Sequence, residues 1–364
     1  MKKIIPVILF NLLLLRCEFA FAQMDSIVSQ SVWRTFKVHL PSNYDAKKQY
    51  PLVINLHGLN SNATQQELLS QFNTVANTHQ FIVVYPNAKG GSWVINTNSD
   101  VDFISQLIDT VRKNYSCNTC LFAMGMSQGG FLTYKLACSL PQKLKAIGVV
   151  SGNISQNLQN NCTISGGLSI LHFHGTSDPL VGFNGTIGIP SVPNTINWLV
   201  NQNKCNTTPT ITNLPNTNMA DSTTAESYSY SNGTNGSSVT FYKINKGGHT
   251  WPGGILIPIF GLTSMDINAS ELMGTFFSKH CTSANHISIV IKEKISAFPN
   301  PFTSRISIKN ATGSEIYTLH TILGKRVFTG ENIEQLDFSL LAQGIYALTV
   351  KNATGQHIIL VTKY

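Results

Sequence analysis

The chain has 364 residues, with 25 Lys and Arg against 17 Asp and Glu, a formal net charge of +8 at only 12% charged residues. That charge is scattered, and no run of Lys and Arg forms a stripe, which argues against nucleic acid as a partner. A chain of this length exceeds the usual size of one hydrophobic core, so two domains are expected.

Residues 1–22 place Lys2 and Lys3 before an apolar run over 4–15 and end on Ala20-Phe21-Ala22. This is the pattern of an export signal with a small-residue cleavage site, so the mature chain is expected to start at Gln23. Arg16 stands directly before Cys17, where a lipid-attachment signal needs a small residue. No later apolar run is long enough to span a bilayer. The expectation is a protein exported through the periplasm to the cell surface or the medium, without a membrane span.

From residue 33 to about 281, short apolar runs alternate with helical patterns. "WRTFKVHL" alternates like an edge strand, whereas "PLVINLHG", "FIVVYPN", "LFAMGMS", "AIGVVSGN" and "LSILHFHG" are compact runs closed by turn residues, as in strands buried on both faces. Residues 64–80, 100–115, 128–140 and 193–202 have helical spacing. Strands alternating with helices predict an α/β fold, a mostly parallel sheet with helices on both faces, whose chemistry gathers at the carboxyl ends of the strands. Residues 206–237, rich in Thr, Asn, Ser and Gly, read as a long surface excursion.

After Cys281 the composition shifts to short alternating runs, "ISIKN", "EIYTLHTILGKRVF", "LDFSL", "GIYALTV" and "HIILVTKY", which predict a small C-terminal β-sandwich. The expected organisation is a signal over 1–22, an α/β domain over 23–283, a linker over 284–294 and the sandwich over 295–364.

Six cysteines follow the signal: Cys117, Cys120, Cys138, Cys162, Cys205 and Cys281. An even number in an exported chain points to disulfides, with the connectivity left open. Cys117-Asn-Thr-Cys120 has the spacing of a redox pair but lacks the surrounding pattern of one. No second such pair and no His cluster completes a zinc site, so no metal is expected.

Gly125-Met126-Ser127-Gln128-Gly129 follows the apolar run "LFAM" and precedes the helical pattern "FLTYKLACSL". Strand, sharp turn, helix is the context in which a serine is pushed out at a strand end as a nucleophile. A serine nucleophile needs a base, and the base an orienting carboxylate. Asp178 follows the run "LHFHG" and stands before Pro179, so it reads either as a turn former or as that carboxylate. His249 lies between glycine pairs in "KGGHTWPGG", after the strand pattern "VTFYKI". The loop alone could be a metal site, a catalytic site or a turn; the order Ser, Asp, His assigns His249 as the base. His172 and His174 alternate inside a strand and are expected to face the core or to position the Asp178 loop. His57 ends its strand in "HGL", which places the N–H of Leu59 beside that of Gln128 as donors to an oxyanion. Trp93 and Trp251, on loops at the expected rim, either stack on a substrate or pack beneath their own loops, and His57 joins them as a candidate substrate contact.

Taken together, "RTFKVHLPSNYD", "PLVINLHG", "VVYPN", "GSW", "VDFISQLID", "GMSQGGFLTYKLAC", "HGTSDPLVGFNG" and "KGGHTWPGG" resemble secreted esterases of the poly(3-hydroxybutyrate) depolymerase and feruloyl or acetylxylan esterase group of carbohydrate esterase family 1. The resemblance covers nearly all of residues 33–281. It implies an α/β-hydrolase fold and serine carboxyl-ester hydrolysis without a cofactor, in which Ser127 attacks, His249 carries the proton and Asp178 orients it. The expected substrate is feruloyl- or acetyl-substituted plant polysaccharide. The alternatives are a poly(3-hydroxybutyrate)-type polyester and, in another class, a non-catalytic surface-binding protein. The glycine-rich stretch such enzymes carry after His-Gly is "LNSNATQ" here. The cysteine that relatives often place before the last strand is missing from "SYSYSNGTNGSS", which leaves Cys205 free or paired elsewhere, with Cys281 the candidate. "FPNPF", "LDFSLLAQGIYALTV" and the basic end "TKY" resemble the C-terminal sorting domain of the type IX secretion system, implying that machinery as a partner.

Overall fold

The structure, a computed structural model, describes residues 24–140, 143–164, 166–281, 296–311, 313–321, 325–352 and 355–364. The expected signal and the linker over 284–294 lie outside the described residues. The chain divides into two units, Met1–Asn285 and His286–Tyr364.

Ten strands form the sheet of the first unit: β1 Met24–Ser29, β2 Val32–His39, β3 Tyr50–Leu56, β4 Ile82–Pro86, β5 Cys117–Met126, β6 Ala146–Val150, β7 Ser169–Gly175, β8 Thr210–Asn213, β9 Thr224–Tyr230 and β10 Val239–Asn245. Their spatial order is β1-β2-β4-β3-β5-β6-β7-β10-β9-β8. The run from β4 to β10 is parallel throughout, and antiparallel pairs close both edges. Side chains alternate across the sheet, so a strand buried on both faces is apolar at most positions along its length. In β3, Leu52, Ile54 and Leu56 enter one apolar cluster and Val53 enters the other.

Seven α-helices accompany the sheet among the described residues: α1 Ala63–Ser70, α2 Phe72–His79, α3 Ser99–Asn114, α4 Gln128–Ser139, α5 Gln156–Asn160, α6 Val192–Gln202 and α7 Ala269–His280. The single helix expected over 64–80 is two, because Gln71 turns left-handed (φ 49°) and its N–H closes on the Glu67 carbonyl. The α7 helix has no counterpart in the sequence reading. Its signal is local: Asn268 caps the N-terminus by accepting the N–H of Glu271, and Met273 and Phe277 lie four apart on the buried face.

The tract over 206–237 is not a surface excursion throughout. It supplies β8 and β9, which extend the sheet antiparallel from β10. In β9 the buried positions are Ala225, Ser227 and Tyr230, so the strand period is carried by small and polar side chains.

Two disulfides join Cys120 to Cys281 and Cys138 to Cys162, leaving Cys117 and Cys205 free. Of the two alternatives for Cys205, it is free, and its candidate partner Cys281 pairs with Cys120 instead. Cys205 belongs to the apolar cluster on one face of the sheet, whereas Cys281 closes α7 against Cys120 in the cluster on the other. Burial pushes the Cys117 thiol up to about 11, which keeps it protonated and unreactive at neutral pH.

The second unit has a four-stranded antiparallel sheet in the order β14-β13-β15-β16, with β13 Ile316–Thr321, β14 Arg326–Gly330, β15 Gly344–Asn352 and β16 Gly355–Lys363. A separate pair joins β11 Ser296–Phe298 to β12 Ser307–Lys309. Phe302, Leu319, Leu348 and Val361 lie in its core. "LDFSL" is a turn following a short 3₁₀ segment rather than a strand.

Candidate active site

Three loops meet at the carboxyl ends of the parallel strands. Ser127 follows β5, Asp178 follows β7 and His249 follows β10. Ser127 sits between β5 and α4 with φ 55° and ψ −122°, a backbone conformation that costs a non-glycine residue about 1–3 kcal/mol. The bond from its N–H to the Val150 carbonyl, 3.0 Å, helps hold it there. The flanking glycines are required by proximity rather than by φ. A Cβ on Gly129 would lie 2.3 Å from the Leu56 carbonyl oxygen, and one on Gly125 would lie 2.6 Å from the Gly129 backbone.

The His249 imidazole is buried and donates from Nδ1 to Asp178, 2.8 Å to Oδ2 and 3.0 Å to Oδ1. Burial alone would raise the Asp178 carboxyl. The hydrogen bond from His249, the nearby imidazoles and the Val181 N–H outweigh it and hold the group below its ordinary value. Asp178 Oδ1 also accepts the N–H groups of Leu180 and Val181, at 2.9 and 2.8 Å, so the residue shapes its turn and orients the imidazole at once. The loops of Asp178 and His249 are pressed together, since a Cβ on Gly175 would lie 2.2 Å from the Gly247 carbonyl oxygen. No hydrogen bond links the Ser127 hydroxyl to the His249 ring among the described residues; such contacts commonly tighten when substrate binds.

Beneath the Asp178 loop runs a buried chain of three side chains. His174 donates from Nε2 to the Val181 carbonyl, 2.7 Å, so its Nδ1 accepts from His172 Nε2, 3.2 Å. Nδ1 of His172 then accepts from the Tyr134 hydroxyl, 2.7 Å. Burial depresses both imidazoles, keeping them in the neutral forms this chain of donors requires. His172 and His174 thus support the loop.

Leu59 and Gln128 stand on either side of Ser127. A Cβ on Gly58 would lie 3.4 Å from Ser127 Cβ, which brings the loop carrying Leu59 against the serine. Gln128 opens α4, where the first N–H groups have no partner within the helix.

His57, Trp93 and Trp251 are placed differently from their expected role as substrate contacts. His57 is fully buried. Its Nε2 accepts the Ala88 N–H, 3.0 Å, so Nδ1 carries the proton and donates to the Gly58 carbonyl, 2.7 Å. Burial lowers its pKa. Trp93 is 2% exposed and Trp251 is 1% exposed, so neither presents a ring face to a ligand. The Trp251 indole donates to Ser270 Oγ, fastening the His249 loop to α7, and the Trp93 indole donates to the His57 carbonyl. On the loops that carry the site, Leu59, Leu180, Leu256 and Ile259 are exposed aliphatic side chains, beside exposed polar ones such as Asn60 and Ser177. Sequence reasoning passed over them because a leucine or isoleucine carries no chemical signature. The signal was the absence of any Asp, Glu, Lys or Arg between Lys246 and Asp266.

This architecture, a mostly parallel sheet with a serine turn after β5 and paired Asp and His loops after β7 and β10, is an α/β-hydrolase fold. Residues 32–252 match the Esterase family model, and the chain belongs to that family. Residues 296–361 match the Secretion system C-terminal sorting domain, which marks the protein for export to the cell surface or beyond. Over 162 residues the chain is 30% identical to the bifunctional acetylxylan esterase/xylanase XynS20E of Neocallimastix patriciarum, covering 44% of this chain and 23% of that protein. It is 31% identical over 162 residues to a protein named "Probable feruloyl esterase C" from Aspergillus clavatus, covering 43% of this chain and 58% of that one. The chain thus spans less than two thirds of the length of either relative. The acetyl xylan esterase from Aspergillus awamori shares the fold, with a TM-score of 0.51 at 14% identity over 71% of this chain and 100% of that one.

Proposed function

We propose that this protein is an exported serine ester hydrolase that removes acyl groups, feruloyl or acetyl, from plant polysaccharide through an acyl-enzyme. The observation that carries the reading is the His249–Asp178 pair, buried and doubly hydrogen-bonded, at the same carboxyl end of the sheet as a serine held in a strained turn. Ser127 attacks the ester carbonyl as His249 takes its proton. The N–H groups of Leu59 and Gln128 receive the oxyanion. His249 then returns the proton to the leaving alcohol, and water repeats the sequence to free the acid. The Asp178 carboxylate keeps the imidazole in the tautomer that leaves Nε2 free to accept. No step calls for a metal or an organic cofactor.

The aliphatic rim favours a large apolar acyl group. Phe260 lies edge-on to His249, with ring centroids 6.2 Å apart, and its carbonyl accepts the His249 N–H. The segment that carries Phe260 is uncharged from Gly247 to Met265. Purified protein given matched feruloyl and acetyl esters is expected to favour the feruloyl ester by about tenfold or more in kcat/KM, the scale on which an apolar contact discriminates. The same rim suits a poly(3-hydroxybutyrate)-type polyester, and hydroxybutyrate release from polymer film with neither small ester cleaved would replace the polysaccharide reading by that one.

The C-terminal unit is read as the address that the type IX secretion machinery takes up, with the esterase unit as its passenger. Removing residues 296–364 is expected to leave active esterase inside the producing cell. Undiminished export of the shortened chain would refute this role.

A further inference from the structure

We infer that Trp93 is a positioning residue for the oxyanion site, an inference that rests on the serine-hydrolase reading above. The two N–H donors assigned to that site belong to segments distant in sequence, the loop after β3 and the first turn of α4. Trp93 is bonded to both. Its indole N–H donates to the His57 carbonyl, 2.8 Å, at the base of the loop that carries Leu59. Its backbone N–H donates to Gln128 Oε1, 2.9 Å, and its carbonyl accepts from Gln128 Nε2, 3.2 Å. The indole also lies against the His57 ring, with centroids 4.8 Å apart.

The brace is itself anchored from below. The next residue, Val94, donates its N–H to Asp100 Oδ2, 2.6 Å, and Asp100 Oδ1 is paired with Arg34 Nη1 at 2.7 Å. Arg34 and Asp100 are both buried, and the guanidinium lies 3.8 Å over the Phe103 ring and donates to the Asn87 carbonyl. The buried ion pair holds the segment, the segment holds Trp93, and Trp93 sets the spacing of the two donors on either side of Ser127. An oxyanion exists only in the tetrahedral transition states and intermediates, so this brace acts on turnover and leaves binding of the intact ester alone.

Trp93→Phe keeps the buried ring and removes the indole N–H. In the full-length protein, with a p-nitrophenyl acetate-type ester, kcat is expected to fall by about tenfold to a hundredfold, the cost of a slight misplacement of a catalytic group. KM is expected to stay within about twofold, as for any interaction made only in the transition state. Affinity for a trifluoromethyl ketone, which forms a tetrahedral adduct on the serine, is expected to fall in step with kcat/KM, while affinity for the product acid is unchanged. Gln128→Met removes the other side of the brace and is expected to give the same split; it decides the matter if Trp93→Phe fails to fold. Unchanged kcat in the folded variant, or a raised KM at constant kcat, would overturn the positioning role and return Trp93 to packing or to substrate contact. Ser127→Ala in the same assay separates the two levels: activity retained there sinks the hydrolase reading itself, whereas activity lost there but kept in Trp93→Phe sinks only this inference.

Discussion

Ser127→Ala is expected to lower ester hydrolysis by roughly 10⁶-fold in kcat, the scale on which removing the nucleophile of a serine hydrolase disables the whole set. The fold should be untouched. Alanine is smaller than serine, takes up the same positive φ at the same cost, and leaves the N–H to Val150 in place. Thermal unfolding within a degree or so of the parent, together with lost turnover, is the expected pair of results, read by circular dichroism and by release of the alcohol. Residual hydrolysis above the background of the oxyanion donors would mean that another residue attacks.

Asp178→Asn is expected to cost on the order of 10⁴ in kcat, as replacing the orienting carboxylate does in a serine protease, where the amide favours the wrong imidazole tautomer. Here the geometry sharpens the expectation. Nδ1 of His249 faces both carboxylate oxygens, at 2.8 and 3.0 Å, and Oδ1 also takes two backbone N–H groups. An asparagine can keep the turn by pointing its carbonyl oxygen at Leu180 and Val181, but its NH₂ then faces Nδ1 and forces the ring proton onto Nε2. The ring can no longer accept from Ser127. Turnover should fall steeply while the Asp178 loop stays ordered on its His174 support. A stopped-assay comparison of kcat at constant enzyme fold checks this. Near-normal turnover would mean that Asp178 serves the turn alone, the alternative that Asp before Pro suggested from the sequence.

The parts of this site legible in the sequence are those written locally. A buried parallel strand is mostly apolar and ends in a turn, so β3 to β7, β10 and the residues just past them could be read in order, and with them Ser127, Asp178 and His249 as candidates. The β8 strand could not be read because an edge strand needs few apolar residues, and Thr210–Asn213 is exposed along its whole length; the inner β9 was hidden by the small and polar side chains, Ala225 and Ser227, at its buried positions. The disulfide between Cys120 and Cys281 depends on α7 closing over β5, a tertiary event with no mark in the spacing of cysteines. Trp93 and Trp251 carried a visible aromatic signal whose meaning depends on what covers them. Each is buried, with its indole N–H satisfied inside the protein, which is the packing alternative that the sequence left open beside substrate stacking.

The most direct measurement is the mass of the Ser127 peptide after reaction with an organophosphonate that bonds only to activated serine hydroxyls. The account predicts one adduct per chain, located on Ser127, absent from Ser127→Ala and formed far more slowly in Asp178→Asn. An adduct on a different serine, or an unlabelled protein that still hydrolyses esters, would contradict it.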